Sequence, residues 1–368
     1  MEMDRTYNFN PGPAALPLEV LEQGRDSFIE FAGQGMSLLE MSHRSKPVER
    51  MIAETEQLLL ELIGLEDAGY RVLFMSGGAS AQFALLAMNL LTAGKAGRYV
   101  LAGSFSEKAY EEALTVGAAE VLASGKEAGW ARLPSIEVAL TALTEEDTAY
   151  VHVTTNNTIE GSQFKTFPDT GGIPLIGDMT SDILSRKIDW TRFAMFYAGA
   201  QKNLGPAGVT AVVIREDLLA ASAAAKIPAI FRYATYASNN SLYNTPPVHS
   251  IYMMKLMLEW TARQGGVAAM ETRSAEKAAL LYEAIDGSGG FYRGIVEKPD
   301  RSAMNATWRL PDESLEKAFA QEAQAAGFAG LAGHRSVGGI RASIYNGVPV
   351  EACRALAGFM NDFRKRRG

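Results

Sequence analysis

The sequence predicts an α/β fold in which helices cover both faces of a mostly parallel central sheet. Short apolar segments alternate with segments of helical period from about residue 17 to residue 215. The apolar segments are continuous, which is typical of parallel strands buried between two layers of helices. Ligands of such sheets bind beyond the carboxyl ends of the strands. We therefore expect a binding site at that edge of the sheet.

Seven strands are predicted in this first part of the chain. They cover residues 70–75, 98–102, 120–123, 149–155, 173–177, 194–198 and 209–214. The clearest of the helices between them should begin near Pro47, since proline is favoured in the first helical turn, and should end at Gly64. Its buried stripe is predicted from the helical spacing of Val48, Met51, Ile52, Thr55, Leu58, Leu59 and Leu62.

The pattern changes after residue 215. Residues 231–243 are rich in tyrosine and asparagine, and the segment Asn-Thr-Pro-Pro at 244–247 interrupts regular structure, which predicts a hinge. Later elements are a helix over 248–264, a helix to about 285, a strand over 305–309, a helix over 312–326, a strand over 339–344 and a closing helix to 364. We expect a large domain over residues 17–257 and a smaller α/β domain formed by residues 1–16 and 258–368.

Composition limits the classes of function. The 368 residues are 47% apolar, enough for a large core, and 35 basic against 42 acidic side chains give a net charge of −7. This charge argues against nucleic acid or an anionic membrane as a partner. The single cysteine, Cys353, excludes an internal disulfide framework, and the four histidines lack metal-ligand spacing, so no metal is predicted. No secretion signal or apolar run of roughly 20 residues is present, and we expect a cytoplasmic protein.

Lys202 is the first candidate for a catalytic residue. It lies between two predicted strands, among glycines that allow a sharp turn and small residues that would leave its amine in a pocket. An ordinary lysine has a pKa of about 10.4 and is a poor nucleophile until burial, or a Schiff base with an aldehyde, removes its proton. Pyridoxal phosphate is the obvious aldehyde. The alternative is a snorkelling or ion-paired lysine without a chemical role.

Two further features fit this cofactor. Asp178 closes an apolar run and is the candidate partner of the pyridine nitrogen, because a protonated ring accepts electrons better than a neutral one; alone, it could equally cap a helix. The turn Ser-Gly-Gly-Ala-Ser at 76–80 precedes a predicted helix, whose first amides would hold a phosphate with help from the Ser80 hydroxyl. The alternative is an ordinary βα turn. These features, with Phe105, Thr158 and Lys202, all follow predicted strand ends, which indicates one shared site.

Five segments along the chain form a distinctive set. They are Asn8-Phe9-Asn10-Pro11-Gly12-Pro13-Ala14, Met41-Ser42-His43-Arg44, the run at 197–208, Asn244-Thr245-Pro246-Pro247 and the run at 333–346. Together they closely resemble the phosphoserine aminotransferases of the class V aminotransferase family, over nearly the whole chain. Ser80 matches the branch found in bacilli, because another bacterial branch has arginine there. The resemblance implies fold type I of the pyridoxal-phosphate-dependent enzymes and a homodimer with shared active sites.

The resemblance also implies roles for individual residues around the cofactor. Lys202 would carry the cofactor as a Schiff base and act as the general base, Asp178 would hold the pyridinium proton, and Thr158 would bond the ring hydroxyl. The cofactor phosphate would be bound by Ala79, Ser80 and Gln201 and, from the second subunit, by Asn244 and Thr245. Phe105 would stack on the ring, at a position where many relatives have tryptophan.

The implied reaction transfers an amino group from glutamate to 3-phosphohydroxypyruvate and yields O-phosphoserine and 2-oxoglutarate. Some relatives also act on 3-hydroxy-2-oxo-4-phosphobutanoate in pyridoxine biosynthesis. By the same resemblance Arg341 would pair with the substrate α-carboxylate. The distal phosphate or carboxylate would be bound by His43, Arg44, His334 and Arg335, some of them across the dimer interface. Judged alone, the two histidines could be core hydrogen-bonding groups and Arg335 a surface ion pair.

Two other classes of function remain at this point. One is another enzyme on the same scaffold, such as an alanine–glyoxylate aminotransferase or a cysteine desulfurase. A desulfurase needs a mobile thiol, and Cys353 is predicted to lie inside the last helix. The other is a non-catalytic protein that binds a phosphorylated metabolite and would be colourless when purified.

Overall fold

The computed structural model describes residues 5–368, so the first four residues of the predicted 1–16 segment lie outside the described residues. The strands in this range are β1 (Tyr7–Asn8), β2 (Tyr70–Met75), β3 (Ala96–Leu101), β4 (Ala119–Ser124), β5 (Thr148–Thr154), β6 (Asn156–Asn157), β7 (Ser162–Gln163), β8 (Leu175–Asp178), β9 (Met195–Gly199), β10 (Thr210–Arg215), β11 (Arg293–Gly294), β12 (Asn305–Arg309), β13 (Phe328–Ala329) and β14 (Ile340–Ser343). The helices are α1 (Leu18–Ser27), α2 (Lys46–Ile63), α3 (Gly78–Leu90), α4 (Ser104–Val116), α5 (Glu137–Leu140), α6 (Glu216–Ser222), α7 (Tyr233–Ser238), α8 (Val248–Arg263), α9 (Gly266–Asp286), α10 (Glu313–Ala325) and α11 (Val350–Arg367).

The central sheet contains seven strands in the order β2-β10-β9-β8-β5-β3-β4. Strand β10 is antiparallel to both of its neighbours, and the other neighbouring pairs are parallel. Because β2 and β9 flank β10 and both oppose it, β2 runs in the same direction as the remaining strands. The carboxyl ends of six strands therefore meet at one edge. The predicted α/β class is confirmed, and the seven predicted strands are found with ends displaced by two residues at most.

Helix α2 shows how closely the local pattern predicts packing. Pro47 lies in its first turn, and Gly64 caps its end in the left-handed conformation, with φ of 68°. The predicted side chains Val48, Met51, Ile52, Thr55 and Leu59 are buried. Leu58 and Leu62 are only partly buried, while Leu60 and Ile63 are buried in their place. The buried face is wider than one stripe because α2 packs on both the sheet and helix α8.

A second hydrophobic core lies among the later elements. It joins Phe9 to side chains of α9, α10 and α11 and to the three-stranded sheet β11-β12-β14, with Trp308 and Phe319 fully buried at its centre. Strand β1 pairs with β13 and attaches the amino-terminal segment to this core. These contacts support the division that we propose between residues 17–257 and the two flanking segments. The proposed boundary lies inside the continuous helix α8.

No helix among residues 5–368 combines the length and the apolar character that crossing a membrane requires.

Candidate active site

A cavity opens at the edge of the sheet where the parallel strands end. Its lining consists of Gly77, Gly78, Ala79, Ser80, Phe105, Thr154, Asn156, Thr158, Asp178, Thr180, Ser181, Gln201 and Lys202. Seven of these residues were predicted as cofactor ligands: Ala79, Ser80, Phe105, Thr158, Asp178, Gln201 and Lys202. The structure thus brings together, in one chain, side chains from five separate strand ends.

Lys202 lies in the tight connection between β9 and β10. The turn is closed by two backbone bonds, in which Ala200 N donates to Val209 O at 2.9 Å and Gly205 N donates to Ala200 O at 2.8 Å. The Lys202 side chain is buried, and its Nζ donates to Oγ1 of Thr158 at 2.6 Å. Burial lowers the pKa of Lys202 to about 8; the charge of Asp178 opposes this shift and that of Arg341 adds to it. The amine is therefore poised to lose its proton near neutral pH.

Asp178 is the last residue of β8 and is only 4% exposed. Its Oδ1 accepts a hydrogen bond from the backbone N–H of Thr180 at 3.0 Å. Burial raises the pKa of this carboxyl group, although the hydrogen bond from Thr180 and the charge of Lys202 oppose the shift. Within residues 5–368 no lysine or arginine comes within ion-pairing distance of it. A buried carboxylate that lacks an ion-pair partner is stabilised by a cationic N–H donor such as a protonated pyridine.

The amino-terminal end of α3 forms a cradle whose geometry is suited to an anion. Gly77 precedes the helix with φ of 109°, and a Cβ atom placed there would lie 2.5 Å from Cβ of Ala81. Only glycine fits this position without displacing the first turn. Ala79 and Ser80 lie in that turn, where backbone N–H groups have no partner within the helix and carry the positive end of its dipole. This end of the cavity is suited to a phosphate.

Phe105 lies in the first turn of α4 and forms part of the cavity wall, with its ring centroid 5.4 Å from Nζ of Lys202. The start of this helix is fixed by Glu160, which the sequence analysis did not single out. Oε1 of Glu160 accepts hydrogen bonds from the N–H of Ser104 at 2.8 Å and from its hydroxyl at 2.6 Å. Glu160 therefore sets the position of the Phe105 ring through the residue beside it.

Arg341 projects from β14 next to this cavity and is 6% exposed. One terminal nitrogen donates to the carbonyl oxygen of Thr158 at 3.3 Å. Its buried Nε has no acceptor among the described residues. A buried guanidinium with an unused N–H is costly unless an acceptor arrives, and a substrate carboxylate is a suitable one.

His334 and Arg335 lie on the loop that leads into β14. His334 is partly buried, and its Nδ1 lies 2.6 Å from Oγ of Ser336. Burial lowers the pKa of His334, and the nearby charges of Arg341 and Arg335 lower it further. Arg335 is exposed. Arg335 therefore extends the cationic region around Arg341 toward the surface, while the lowered pKa of His334 favours its uncharged form beside it.

Four predicted ligands do not line this cavity. His43 and Arg44 lie in the loop before α2, and Asn244 and Thr245 lie in the segment before α8, where Arg44, Asn244 and Thr245 are exposed. Their expected roles require a second copy of the chain, and they stay predictions.

Several residues that line the cavity were not among the predicted ligands. They are Thr154 at the end of β5, Asn156 in β6, and Thr180 and Ser181 shortly after Asp178. Their positions after predicted strands were the available signal. Asn203 is different, since it acts on the backbone. Its side chain donates to Ile183 O at 2.9 Å and accepts from Asn346 N at 2.9 Å, which anchors the turn that carries Lys202.

The fold and the cavity define an enzyme of the aminotransferase type, and comparison with known proteins agrees. The class-V aminotransferase family matches residues 6–356, and the chain belongs to this family. The phosphoserine aminotransferase of Geobacillus kaustophilus (strain HTA426) is 54% identical over 364 residues, which is 99% of each chain. The solved structure of phosphoserine aminotransferase from Bacillus circulans subsp. alkalophilus is 51% identical, with a TM-score of 0.95 and full coverage of both chains. That of the pyridoxal-phosphate-bound enzyme from Trichomonas vaginalis is 35% identical, with a TM-score of 0.88, and covers 97% of this chain and 100% of that chain.

The cavity has the groups that pyridoxal 5'-phosphate requires. Three groups surround one space. They are the buried amine of Lys202, whose pKa is lowered, the buried carboxylate of Asp178, which has no cationic partner among the described residues, and the start of α3, where only glycine fits at position 77. Lys202 can bind the aldehyde, Asp178 the ring nitrogen and the start of α3 the phosphate. The residues present therefore fit this cofactor.

Proposed function

We propose that the protein is a phosphoserine aminotransferase of serine biosynthesis. It transfers an amino group reversibly from glutamate to 3-phosphohydroxypyruvate, and the products are O-phosphoserine and 2-oxoglutarate. The convergence of Lys202, Asp178 and the start of α3 on one cavity carries this proposal. The relative that is 54% identical over 99% of the chain, itself a phosphoserine aminotransferase, supports the choice of substrate.

Bound pyridoxal phosphate supplies an electron sink for the electrons released at the substrate α-carbon. Lys202 would hold the cofactor through Nζ, and its freed amine would then act as the general base that moves the proton of the substrate α-carbon. Thr158 orients the amine through the 2.6 Å contact with Nζ. Asp178 would hold the proton on the ring nitrogen, since its carboxylate is buried in the cavity and has no cationic partner among the described residues.

The substrates share one group and differ in another. Each has an α-carboxylate, for which Arg341 offers its unused Nε–H. The distal group is a phosphate in O-phosphoserine and a carboxylate in glutamate, and we assign it to His334 and Arg335 and, from the partner chain, to His43 and Arg44. Arginine suits both anions because its planar fork matches carboxylate and phosphate oxygens alike. Activity on 3-hydroxy-2-oxo-4-phosphobutanoate belongs to the same proposal, because this compound also has an α-carboxylate and a distal phosphate.

A homodimer with shared active sites is part of the proposal. Six large apolar side chains between residues 18 and 39 are exposed: Leu18, Leu21, Phe28, Ile29, Met36 and Leu39. Such a concentration marks a surface that another protein covers. This apolar surface directly precedes His43 and Arg44 in the chain. If a second copy of the chain packs on it, these two residues would lie near the partner's site. We place the dimer in the cytoplasm.

The rival functions lack comparable support. A cysteine desulfurase needs a mobile and reactive thiol, but Cys353 is fully buried in α11 and burial raises its pKa to about 12. Two rivals remain, an alanine–glyoxylate aminotransferase and a non-catalytic binding protein. Substrate turnover and visible absorbance distinguish them from the proposed function.

The test uses the purified protein. We expect a yellow preparation whose visible absorbance shifts when glutamate is added, and turnover of O-phosphoserine with 2-oxoglutarate that exceeds turnover of alanine with glyoxylate at least about a hundredfold in kcat/KM. A colourless protein that gains no absorbance with added pyridoxal phosphate would indicate the binding protein. Faster turnover of alanine would indicate the rival aminotransferase.

Shared sites are tested with hybrid dimers of Lys202→Ala and Arg44→Ala chains. If Arg44 acts in the partner's site, one site of each hybrid combines an intact Lys202 with an intact Arg44. Mixing two nearly inactive variants after dissociation should then restore activity. If Arg44 acts in its own chain, both sites of the hybrid stay defective and no activity returns.

A further inference from the structure

The loop that carries His334 and Arg335 is closed on itself. Gly333 N donates to Gly339 O at 2.9 Å, while Val337 N and Gly338 N donate to His334 O at 2.9 and 2.8 Å. A Cβ atom on Gly333 would lie 2.0 Å from Gly338 O, so the two ends of the loop approach as closely as glycine allows. These bonds define the shape of the loop but do not attach it to the rest of the domain.

An ion pair outside the loop makes that attachment. Glu316, on α10, is 7% exposed, and its Oε2 accepts a hydrogen bond from the backbone N–H of Gly339 at 3.0 Å. Its Oε1 accepts from Nε of Arg309 at 2.6 Å and from Leu310 N at 3.3 Å. Arg309 in turn donates through Nη1 to Val337 O at 2.9 Å. The pair therefore connects the end of β12 and helix α10 to two points of the loop.

The geometry points to a positioning function for this pair. We propose that Arg309 and Glu316 form a clamp that holds the 334–339 loop, and with it His334 and Arg335, in the conformation that binds the distal anionic group of the substrate. The clamp rests on the proposed function, since it assigns that group to the loop. Neither residue lines the cavity that contains Lys202, so both act through the loop rather than on the reacting atoms.

The physical reason is preorganisation. If the loop becomes ordered only when the substrate binds, the entropy lost on ordering reduces the net binding free energy. A loop that is already ordered avoids this loss. The Glu316 carboxylate accepts three N–H groups, and an amide in its place would turn a donor toward one of them. Losing the charge should therefore loosen the loop without changing the cavity around Lys202.

The test compares Glu316→Gln with Glu322→Gln in the pyridoxal-phosphate-loaded protein. Glu322 lies on the same helix and pairs with Arg366 and Arg367 on α11, away from the loop. In the Glu316 variant we expect backbone hydrogen exchange over 334–339 to accelerate at least about tenfold. KM for O-phosphoserine should rise about tenfold with kcat changed less than about twofold, which is the signature of lost substrate binding. The bound-cofactor absorbance should be unchanged, and the control should match the wild type in every measurement.

Arg309→Lys is a second variant in case Glu316→Gln does not fold. It keeps the charge on the partly exposed side of the pair but loses the fork that reaches Val337 O, so a smaller acceleration in the same segment is expected. Unchanged exchange over 334–339 in both variants overturns the clamp, as does faster exchange with an unchanged KM. Exchange can be measured without any substrate. A wild-type protein that fails to turn over O-phosphoserine would refute the proposed function while the exchange data still decide whether the pair holds the loop.

Discussion

The Nζ atom of Lys202 lies 2.6 Å from Oγ1 of Thr158, and both groups are buried at the edge of the central sheet. The carbonyl oxygen of the same threonine accepts a hydrogen bond from Arg341 at 3.3 Å. Thr158 thus joins the amine that would bind the cofactor to the guanidinium that would bind the substrate. Because Arg341 belongs to the three-stranded sheet of the second core, this contact also links that core to the edge of the central sheet.

Replacing Lys202 by alanine should reduce transamination at least about a thousandfold, because covalent attachment and proton transfer are both lost. Borohydride reduction of the wild-type protein, followed by digestion and mass spectrometry, should find the cofactor on Lys202. Lys165 provides a control of similarly lowered pKa. Desolvation of its amine lowers the pKa to about 8 as well, but the residue is exposed, its amine donates to Arg301 O at 2.6 Å and it does not line the cavity. Adducts on Lys165 instead of Lys202 would refute the assignment.

Cofactor uptake by the apoprotein should depend on pH through Lys202. Burial lowers the pKa of its amine from 10.5 to about 8, and only the unprotonated amine attacks an aldehyde. The rate of uptake, followed by visible absorbance, should therefore rise with pH up to about 8 and then level off. Since the charge of Arg341 contributes to lowering this pKa, Arg341→Met should move the midpoint to higher pH. A rate that still rises steeply to pH 10 in the wild-type protein would contradict the lowered pKa.

The sequence predicted the elements whose signals are local. Continuous apolar runs located the seven central strands, and Asp312 located the start of α10, where its Oδ1 accepts from Leu315 N at 2.9 Å. Strands β1 and β13 were missed because Tyr7 pairs with Phe328, more than 300 residues away, in segments of only two residues. The antiparallel direction of β10 could have been inferred, since the short connection after β9 is too short for a parallel crossover.

The residues of the site also differ in whether a local sequence signal predicts them. The placement of Lys202 and Asp178 in one cavity was predictable, because each follows an apolar segment that is recognisable as a strand. The contacts of Glu160 and Asn203 were not predictable, because both residues bond to distant segments. Glu160 accepts from the N–H and the hydroxyl of Ser104, and Asn203 bonds to backbone groups of Ile183 and Asn346. Such contacts leave no periodic or motif-like trace.

Replacing Gly77 by alanine should weaken cofactor binding more than it weakens the fold. The added Cβ would lie 2.5 Å from Cβ of Ala81, and φ at this position is 109°, so the first turn of α3 must shift. We expect the dissociation constant of pyridoxal phosphate to rise at least about tenfold, because the amides that would hold its phosphate move with that turn. Titration of the apoprotein by absorbance measures this.

The control for Gly77 is Gly64→Ala at the end of α2. Gly64 is also left-handed, with φ of 68°, but a Cβ there meets nothing within 4 Å. Its replacement should lower the free energy of unfolding by about 1 kcal/mol and leave cofactor affinity unchanged. Equal losses of affinity in the two variants would mean that general destabilisation, and not the cradle, is responsible.

Arg341→Lys should weaken the binding of every substrate to a similar degree. A lysine presents a point charge where the guanidinium offers a fork, and the contact with Thr158 O and the unused Nε–H cannot both be replaced. Because all the proposed substrates have an α-carboxylate, KM should rise about a hundredfold for both glutamate and O-phosphoserine, which corresponds to the loss of about one hydrogen bond between charged groups. Arg335→Lys should instead affect the two substrates unequally, since their distal groups differ in charge and shape. Steady-state kinetics of the four combinations measures this, and a KM effect of Arg341→Lys on only one substrate would show that Arg341 binds the distal group.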